Sequence, residues 1–183
     1  PGIRFARLYD PRPGAAAALA ESLRAAGTFH GDIQICATTE ECLRNSDVLS
    51  TCTNGDEQII QSDWFKAGAF GVGIEGGCAY TEGALHQADK FIVDDIPLVE
   101  YFQKISIGRK NDRGEDNPEF PGGIPPIHST IGDIVAGKKS ARESPQERII
   151  AIPIGMAICD IALGHLVLTR AKERGVGLRF ALS

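Results

Sequence analysis

Short apolar segments that alternate with short helical segments are the feature that most restricts how this chain can fold. The predicted strands cover residues 3–9, 33–37, 47–53, 69–74, 90–95 and 147–154. Helices are predicted at 15–26, from an N-cap at Thr39, at 62–67, 81–88, 96–104, 129–137 and 155–174. Because such alternation is typical of βα units around a parallel sheet, the sequence predicts an α/β, Rossmann-type doubly wound fold.

Composition narrows the functional class. The 183 residues carry 19 Lys and Arg against 24 Asp and Glu, a net charge of −5, which argues against a nucleic-acid partner. No segment reaches the roughly 18 apolar residues that a membrane span needs, so no membrane partner is predicted. The five cysteines form no CxxC pair and no metal-ligand pattern, so we expect reduced thiols, a cytoplasmic location and no metal site.

Asp10 closes the first predicted strand and precedes a helix. In dinucleotide-binding folds an acid at the end of the second strand accepts hydrogen bonds from the ribose hydroxyls. The alternative is an Asp that caps the following turn, and position alone leaves both open. A carboxylate repels a 2′-phosphate, which favours NAD over NADP, whereas Arg12 weakens that preference because a guanidinium pairs with phosphate.

The expected glycine motif does not fit the position of Asp10 in the sequence. The phosphate-binding GxGxxG should lie about twenty residues before the ribose-binding acid, but only nine residues precede Asp10. Either Asp10 is misassigned or the motif lies upstream of Pro1. A literal GxGxxG at Gly71, Gly73 and Gly76 falls inside a predicted strand, where glycines indicate close approach by a ligand or another backbone and not a phosphate cradle.

Ligands of open α/β sheets bind beyond the carboxyl ends of the strands. The candidates there are residues 75–78, residues 51–54 including Asn54, and residues 153–155, where the helix start offers unpaired N–H groups at Gly155. Glu75 is either a general base or ammonium ligand, or a solvated loop residue. Cys52 and Cys78 are interpreted as small apolar fillers.

Two further segments carry expectations. Residues 106–126 are rich in charge, Gly and Pro and predict a long loop, either a flexible surface excursion or an active-site lid. The last helix has apolar residues on nearly every face, which predicts burial.

The segments DVLSTCTN, GAFGVGIEGGCAYTEGAL, ADKFIVDD, IGDIVAGKKSARES and IAIPIGMAICDIALGHLVLTRAKERGVG resemble the ornithine cyclodeaminase/mu-crystallin family. The resemblance implies a Rossmann NAD(P) domain beside a separate substrate and dimerisation domain. It implies that Asp10 binds the ribose and that Thr51 and Thr53 lie on the adenosine loop. It further places Gly76 and Gly77 beside the nicotinamide, with Ile154 and Gly155 beneath the ring.

The chain differs from the family's pattern at the position of the catalytic carboxylate. The cyclodeaminases carry a catalytic Asp at the position of Gly77, and Glu75 lies two positions earlier. The resemblance as a whole implies an NAD(H)-dependent enzyme that transfers hydride at a nitrogen-bearing carbon of a small amino acid or cyclic imine, as in ornithine cyclodeaminase. The alternatives are a ketimine reductase or opine-type or amino-acid dehydrogenase, and, in another class, a non-catalytic crystallin-like cofactor-binding protein.

The resemblance also implies a division of the chain. Residues 1–155 would form a partial Rossmann domain that lacks the first strand and its Gly-rich turn, and residues 156–183 would pack toward a substrate and dimerisation domain absent from this sequence, giving a homodimer. In the strand order 3-2-1-4-5-6 the missing strand is central. We therefore expect a gap between the first and third strands of this chain, and no independent folding of the complete sheet.

Overall fold

The computed structural model describes residues 2–54, 57–75, 79–103, 122–178 and 180, which form an α/β fold of parallel strands and short helices. The strands are β1 (Phe5–Leu8), β2 (Asp32–Ile35), β3 (Val48–Thr51), β4 (Phe70–Gly73), β5 (Lys90–Val93), β6 (Ile127–Thr130) and β7 (Ile149–Ile152). The helices are α1 (Ala15–Ala25), α2 (Thr39–Leu43), a 3-10 turn (Ser62–Trp64), α3 (Glu82–His86), α4 (Ile96–Gln103), α5 (Ile131–Val135) and α6 (Ala157–Arg174). The predicted fold class is confirmed.

Five strands form one parallel sheet in the order β3-β4-β7-β5-β6. Every residue of β5 and β7 is buried, as expected for strands inside a parallel sheet, and all of them are apolar except Lys90, which pairs with Glu143 at 3.0 Å. The last strand in the chain, β7, lies between β4 and β5, a position that the sequence analysis did not predict. Strand periodicity predicts that β7 exists, but its neighbours are chosen by long-range packing.

β1 and β2 form a separate parallel pair. No pairing joins β1 to β3 within the described ranges, and these are the two strands that were expected to flank a gap. Arg7 of β1 contacts α2 and the loop that leads into β3: its Nη2 donates to Ser46 Oγ at 2.9 Å, and its carbonyl accepts from Cys42 Sγ at 3.4 Å. Side-chain contacts, and not a shared ladder, therefore connect these sheets in the described part of the chain.

The main apolar cluster covers one face of the five-stranded sheet. Its most deeply buried large side chains are Leu49, Ile60, Tyr80, Leu85, Val93 and Ile150. A smaller cluster of Ile92, Ile149 and Ala151 covers the other face, against Ile134 of α5. The larger cluster draws on β3, β5 and β7, with Ile127 of β6 packed against it, so it holds these strands together in one sheet.

Local details differ from the predictions at two helix starts. The N-cap of α2 is Thr38 and not Thr39, since Thr38 Oγ1 accepts from the Glu41 amide at 3.1 Å. Ser129 and Thr130, predicted as helical, belong to β6, which was not predicted, and Thr130 then caps α5 through the Asp133 amide at 3.0 Å. β6 has a single apolar residue, Ile127, followed by His, Ser and Thr, so it lacks the apolar pattern that marks the other strands.

The predicted burial of the last helix was wrong within this chain. α6 has no buried residue, and its side chains at Ile158, Ile161 and Leu163 are 61–71% exposed. No helix of the described residues is both long and apolar enough to cross a membrane. Of the predicted 106–126 loop, residues 106–121 lie outside the described residues.

Candidate functional site

A shallow cleft of about 280 Å³ lies where β1 and β2 end, and Asp10 is on its wall. It is lined by residues 9–14, 16–17 and 35–37. The carboxyl ends of two parallel strands, with the turn that leads into α1, shape this cleft. It therefore lies where ligands of open α/β sheets bind.

Asp10 and Arg12 form a tight pair in this cleft. The Arg12 side chain donates from Nε to Oδ1 at 3.0 Å and from Nη2 to Oδ2 at 2.9 Å, and the Arg12 amide donates to Oδ1 at 2.8 Å. These hydrogen bonds lower the pKa of Asp10 from 3.8 to about 2, with the Arg12 side-chain bonds the largest cause. Asp10 thus caps its turn, as one interpretation predicted, and also presents an ionised carboxylate to the cleft.

Thr51 and Glu75 form a second polar group, at the carboxyl ends of β3 and β4. Thr51 is opposite Gly73 in the ladder, and its Oγ1 donates to Glu75 Oε1 at 2.7 Å. Thr51 is buried, and Glu75 Oε2 is buried with no hydrogen-bond partner among the described residues. Glu75 is therefore a held carboxylate and not a freely solvated loop residue.

The remaining predicted residues after β3 and β4 are less informative. Thr53 is half-buried and Asn54 is exposed, both just beyond the end of β3. Gly76 and Gly77, predicted to lie beside a nicotinamide, are outside the described residues.

At the end of β7, Ile154 is partly buried against the main apolar cluster. Gly155 follows it with φ of +97°, a backbone conformation that favours glycine. The Gly155 amide donates to Asp94 Oδ2 at 2.6 Å, so the predicted unpaired N–H at Gly155 was wrong. α6 itself begins two residues later, at Ala157.

Asp94 is a residue that the sequence interpretation missed. It follows β5, and its carboxylate accepts from both the Gly155 and the Asp95 amides, which ties the loop after β7 to the end of β5. The rule that singled out Glu75, an acid just beyond a strand, applies equally to Asp94. The rule alone does not show that β5 and β7 are adjacent, and this adjacency is what brings Asp94 to the Gly155 amide.

The candidate residues thus form three contacting groups at strand ends. Asp10 contacts Arg12 on the β1-β2 sheet, while Thr51 contacts Glu75 and Asp94 contacts the Gly155 backbone on the five-stranded sheet. Because β3, β4, β7 and β5 are consecutive and parallel, the last two groups share one edge. That edge combines a partly buried carboxylate with a glycine loop that is hydrogen-bonded to Asp94.

Both the sequence and the fold of this chain are similar to those of known proteins. The family model of the ornithine cyclodeaminase/mu-crystallin family matches residues 2–175. An N-((2S)-2-amino-2-carboxyethyl)-L-glutamate dehydrogenase of Staphylococcus aureus is 30% identical over 138 residues, which is 75% of this chain and 39% of that protein.

Two solved structures share the fold. An archaeal alanine dehydrogenase dimer with bound NAD superposes with a TM-score of 0.74 at 25% identity, over 99% of this chain and 53% of that one. The Thermococcus litoralis Delta(1)-pyrroline-2-carboxylate reductase, in complex with NADH and L-proline, gives a TM-score of 0.74 at 22% identity, over 97% of this chain and 53% of that one. The chain therefore spans about half the length of these two structures, 53% of each. It spans 39% of the length of the Staphylococcus aureus relative.

Proposed function

We propose, from the premise that this chain belongs to the ornithine cyclodeaminase/mu-crystallin family, that it is the NAD(H)-binding part of an enzyme that transfers hydride at a nitrogen-bearing carbon. The substrate class is a small amino acid or a cyclic imine. The observation that carries the proposal is Asp10, an ionised carboxylate in the cleft at the end of β1. The bound NAD and NADH of the two structural neighbours support the same cofactor.

The Asp10 group fits the ribose end of such a cofactor. A carboxylate has about four acceptor positions, and Arg12 and its amide use three of them. The Asp10 side chain is 28% exposed, so the remaining acceptor capacity faces the cleft and is accessible to a ribose hydroxyl. Its negative charge repels a 2′-phosphate, which makes NADP the weaker ligand. In the same proposal Thr51, Thr53, Asn54, Gly76, Gly77, Ile154 and Gly155 line the path to the nicotinamide.

The chemistry divides between cofactor and chain. When bound, the nicotinamide accepts or donates the hydride at the substrate carbon. Loss of hydride and one proton converts a C–N single bond into an imine. Glu75 is the group proposed to hold that proton, because it is a carboxylate just beyond the carboxyl end of β4 and carboxylates act as general acids and bases. Thr51 donates to Oε1 and so holds the Glu75 carboxylate at this edge.

The activities of the two relatives, a dehydrogenase and a reductase, favour a single hydride transfer over the ammonia-releasing cyclisation. A dehydrogenase or reductase changes the amount of NADH with each turnover, whereas a cyclodeaminase returns the hydride and releases ammonia with no net change. The dimer described for the alanine dehydrogenase neighbour supports a homodimer here as part of the proposal.

Cofactor binding and turnover by the full-length protein test this proposal. Asp10→Ala is expected to weaken NADH binding by about 10- to 100-fold, from the ~1.5–3 kcal/mol of a hydrogen bond to a charged group. Asp63→Ala is the matched control, since Asp63 also pairs with an arginine, Arg44, at 2.7 Å, but outside the cleft. Equal NADH affinity in wild type and Asp10→Ala would exclude Asp10 as the ribose ligand.

Turnover is measured on a panel of small amino acids, diamino acids and cyclic imines, with NADH and ammonia followed together. NADH formed or consumed in proportion to product supports the dehydrogenase or reductase. Ammonia release without net NADH change supports the cyclodeaminase. NADH binding with no turnover of any member would replace the enzyme by a cofactor-binding protein.

A further inference from the structure

Beneath β4, at Gly71, lies a buried hydroxyl that the proposed reaction does not yet use. Tyr80 is 0% exposed, and its Oη has no hydrogen-bond partner among the described residues. The side chain reaches under β4, since a Cβ added at Gly71 would lie 2.7 Å from Oη. Gly71 and Gly73 pair with Leu49 and Thr51, so Tyr80 packs on the face of the sheet that carries Thr51.

Glu75 is the other member of this buried group. Burial raises the pKa of Tyr80 above its ordinary value, and the nearby charge of Glu75 raises this pKa further. Glu75 Oε1 accepts from Thr51 Oγ1 at 2.7 Å, while Oε2 is buried without a partner among the described residues. Thr51, which holds Glu75, lies on the same face of the sheet as the Tyr80 hydroxyl beneath Gly71. One unpartnered acceptor and one unpartnered donor therefore lie in the same buried region.

Buried polar atoms without partners are strongly unfavourable, and a water that reaches several polar groups is the usual solution. A phenol hydroxyl donates and a carboxylate oxygen accepts, so a single water satisfies both. Thr51 on one oxygen and Tyr80 through water on the other would hold the carboxylate in one orientation. The Tyr80 hydroxyl also explains why β4 carries glycine at position 71, where any side chain would displace it.

We propose that Thr51 and Tyr80 are positioning residues for Glu75, with Thr51 bonded directly to Oε1 and Tyr80 bonded to Oε2 through a buried water. This inference rests on the proposed function, in which Glu75 holds the proton of the reaction. Neither residue touches substrate. Their role is to fix where the carboxylate points.

A double-mutant cycle on kcat in the full-length protein tests the role. Tyr80→Phe and Thr51→Val are each expected to lower kcat by about 3- to 10-fold, the range of one neutral hydrogen bond, and Tyr80→Phe is expected to leave KM for NADH unchanged. Thr51→Ser keeps the hydroxyl and is expected to retain most of the activity. Tyr101→Phe and Thr169→Val, the same changes at exposed sites, are expected to leave kcat unchanged.

The decisive variant is Tyr80→Phe in a Glu75→Gln background. If Tyr80 acts through Glu75, removal of its hydroxyl causes no further loss once the carboxylate is gone. An equal loss of kcat in both backgrounds would overturn the inference while leaving the proposed function intact.

A measurement of stability, which does not require enzyme activity, tests the buried Tyr80–Glu75 network separately from the proposed function. Urea midpoints of Tyr80→Phe, Glu75→Ala and the double variant are expected to be non-additive, with the double variant less destabilised than the sum of the single ones. If the wild type shows no hydride transfer, the proposed function fails and the midpoints alone decide on the buried network. Additive midpoints would overturn the network itself.

Discussion

Gly71→Ala tests whether the close approach of Tyr80 is the reason for glycine in the middle of β4. The added Cβ would lie 2.7 Å from Tyr80 Oη and 3.2 Å from Phe65 Cε2, and real Cβ contacts avoid the first of these distances. Both neighbours are buried, at 0% and 2% exposure, so neither moves aside freely. The substitution therefore forces strain into the main apolar cluster.

The expected change in the free energy of unfolding is the difference between a cost and a gain. Overpacking a buried site costs about 1–3 kcal/mol, and replacing glycine in a strand returns about 0.5–1 kcal/mol. A net loss of about 1–2 kcal/mol, with a urea m-value of about 2 kcal/mol/M, lowers the unfolding midpoint by about 0.5–1 M. Chemical unfolding of the full-length protein, followed by circular dichroism, measures this shift.

Tyr80→Phe removes the atom at 2.7 Å and leaves the Phe65 contact, so Gly71→Ala is expected to cost less in that background. Gly83→Ala is the control, because its added Cβ meets only Ser62 at 3.7 Å, an ordinary contact, and lies within α3. It is expected to be neutral or to stabilise by up to about 1 kcal/mol. An unchanged midpoint for Gly71→Ala, or the same cost with and without the Tyr80 hydroxyl, would refute the steric explanation.

Three further predictions concern the cofactor cleft, a carboxylate and the isolated chain. Asp10→Ala frees the Arg12 guanidinium to meet a 2′-phosphate, so the ratio of NADPH to NADH affinity should rise, and a constant ratio would contradict this. The amides of Glu143 and Ser144 and the charge of Lys90 hold the pKa of Glu147 below its ordinary value of 4.5. This stabilisation is present above that value and is lost as the pH falls below it, so Glu147→Gln should flatten the acid side of the stability profile measured in urea. The 183-residue chain alone should unfold without a single cooperative transition, because no ladder among its described residues joins the β1-β2 pair to the five-stranded sheet; coincident transitions by two probes would contradict this.

Local sequence was a good guide to which segments become strands and helices. The β-branched runs of β5 and β7 predict buried parallel strands, and the alanine-rich run from Ala15 predicts α1, because these patterns depend on backbone preference and periodicity. β6 escaped detection because its four residues, Ile127–Thr130, carry no clear period before they pass into α5.

Position at a strand end was a good guide to candidate side chains. It singled out Asp10, Thr51 and Glu75, and each proves to be engaged by hydrogen bonds at its strand end. It failed to show what engages them. The Thr51 to Glu75 bond joins residues 24 positions apart, and the Gly155 to Asp94 bond joins residues 61 apart.

By itself, the sequence determined the element types, the α/β class and the strand-end acids, since each depends on a few neighbouring residues. Only the tertiary structure decided that β7 lies between β4 and β5, which brings Gly155 to Asp94, and that Tyr80 lies under Gly71. It alone decided that α6 is exposed, because an apolar helix specifies a need for burial but not the surface that meets it. Such contacts are selected by the free energy of packing distant segments together, which no local pattern records.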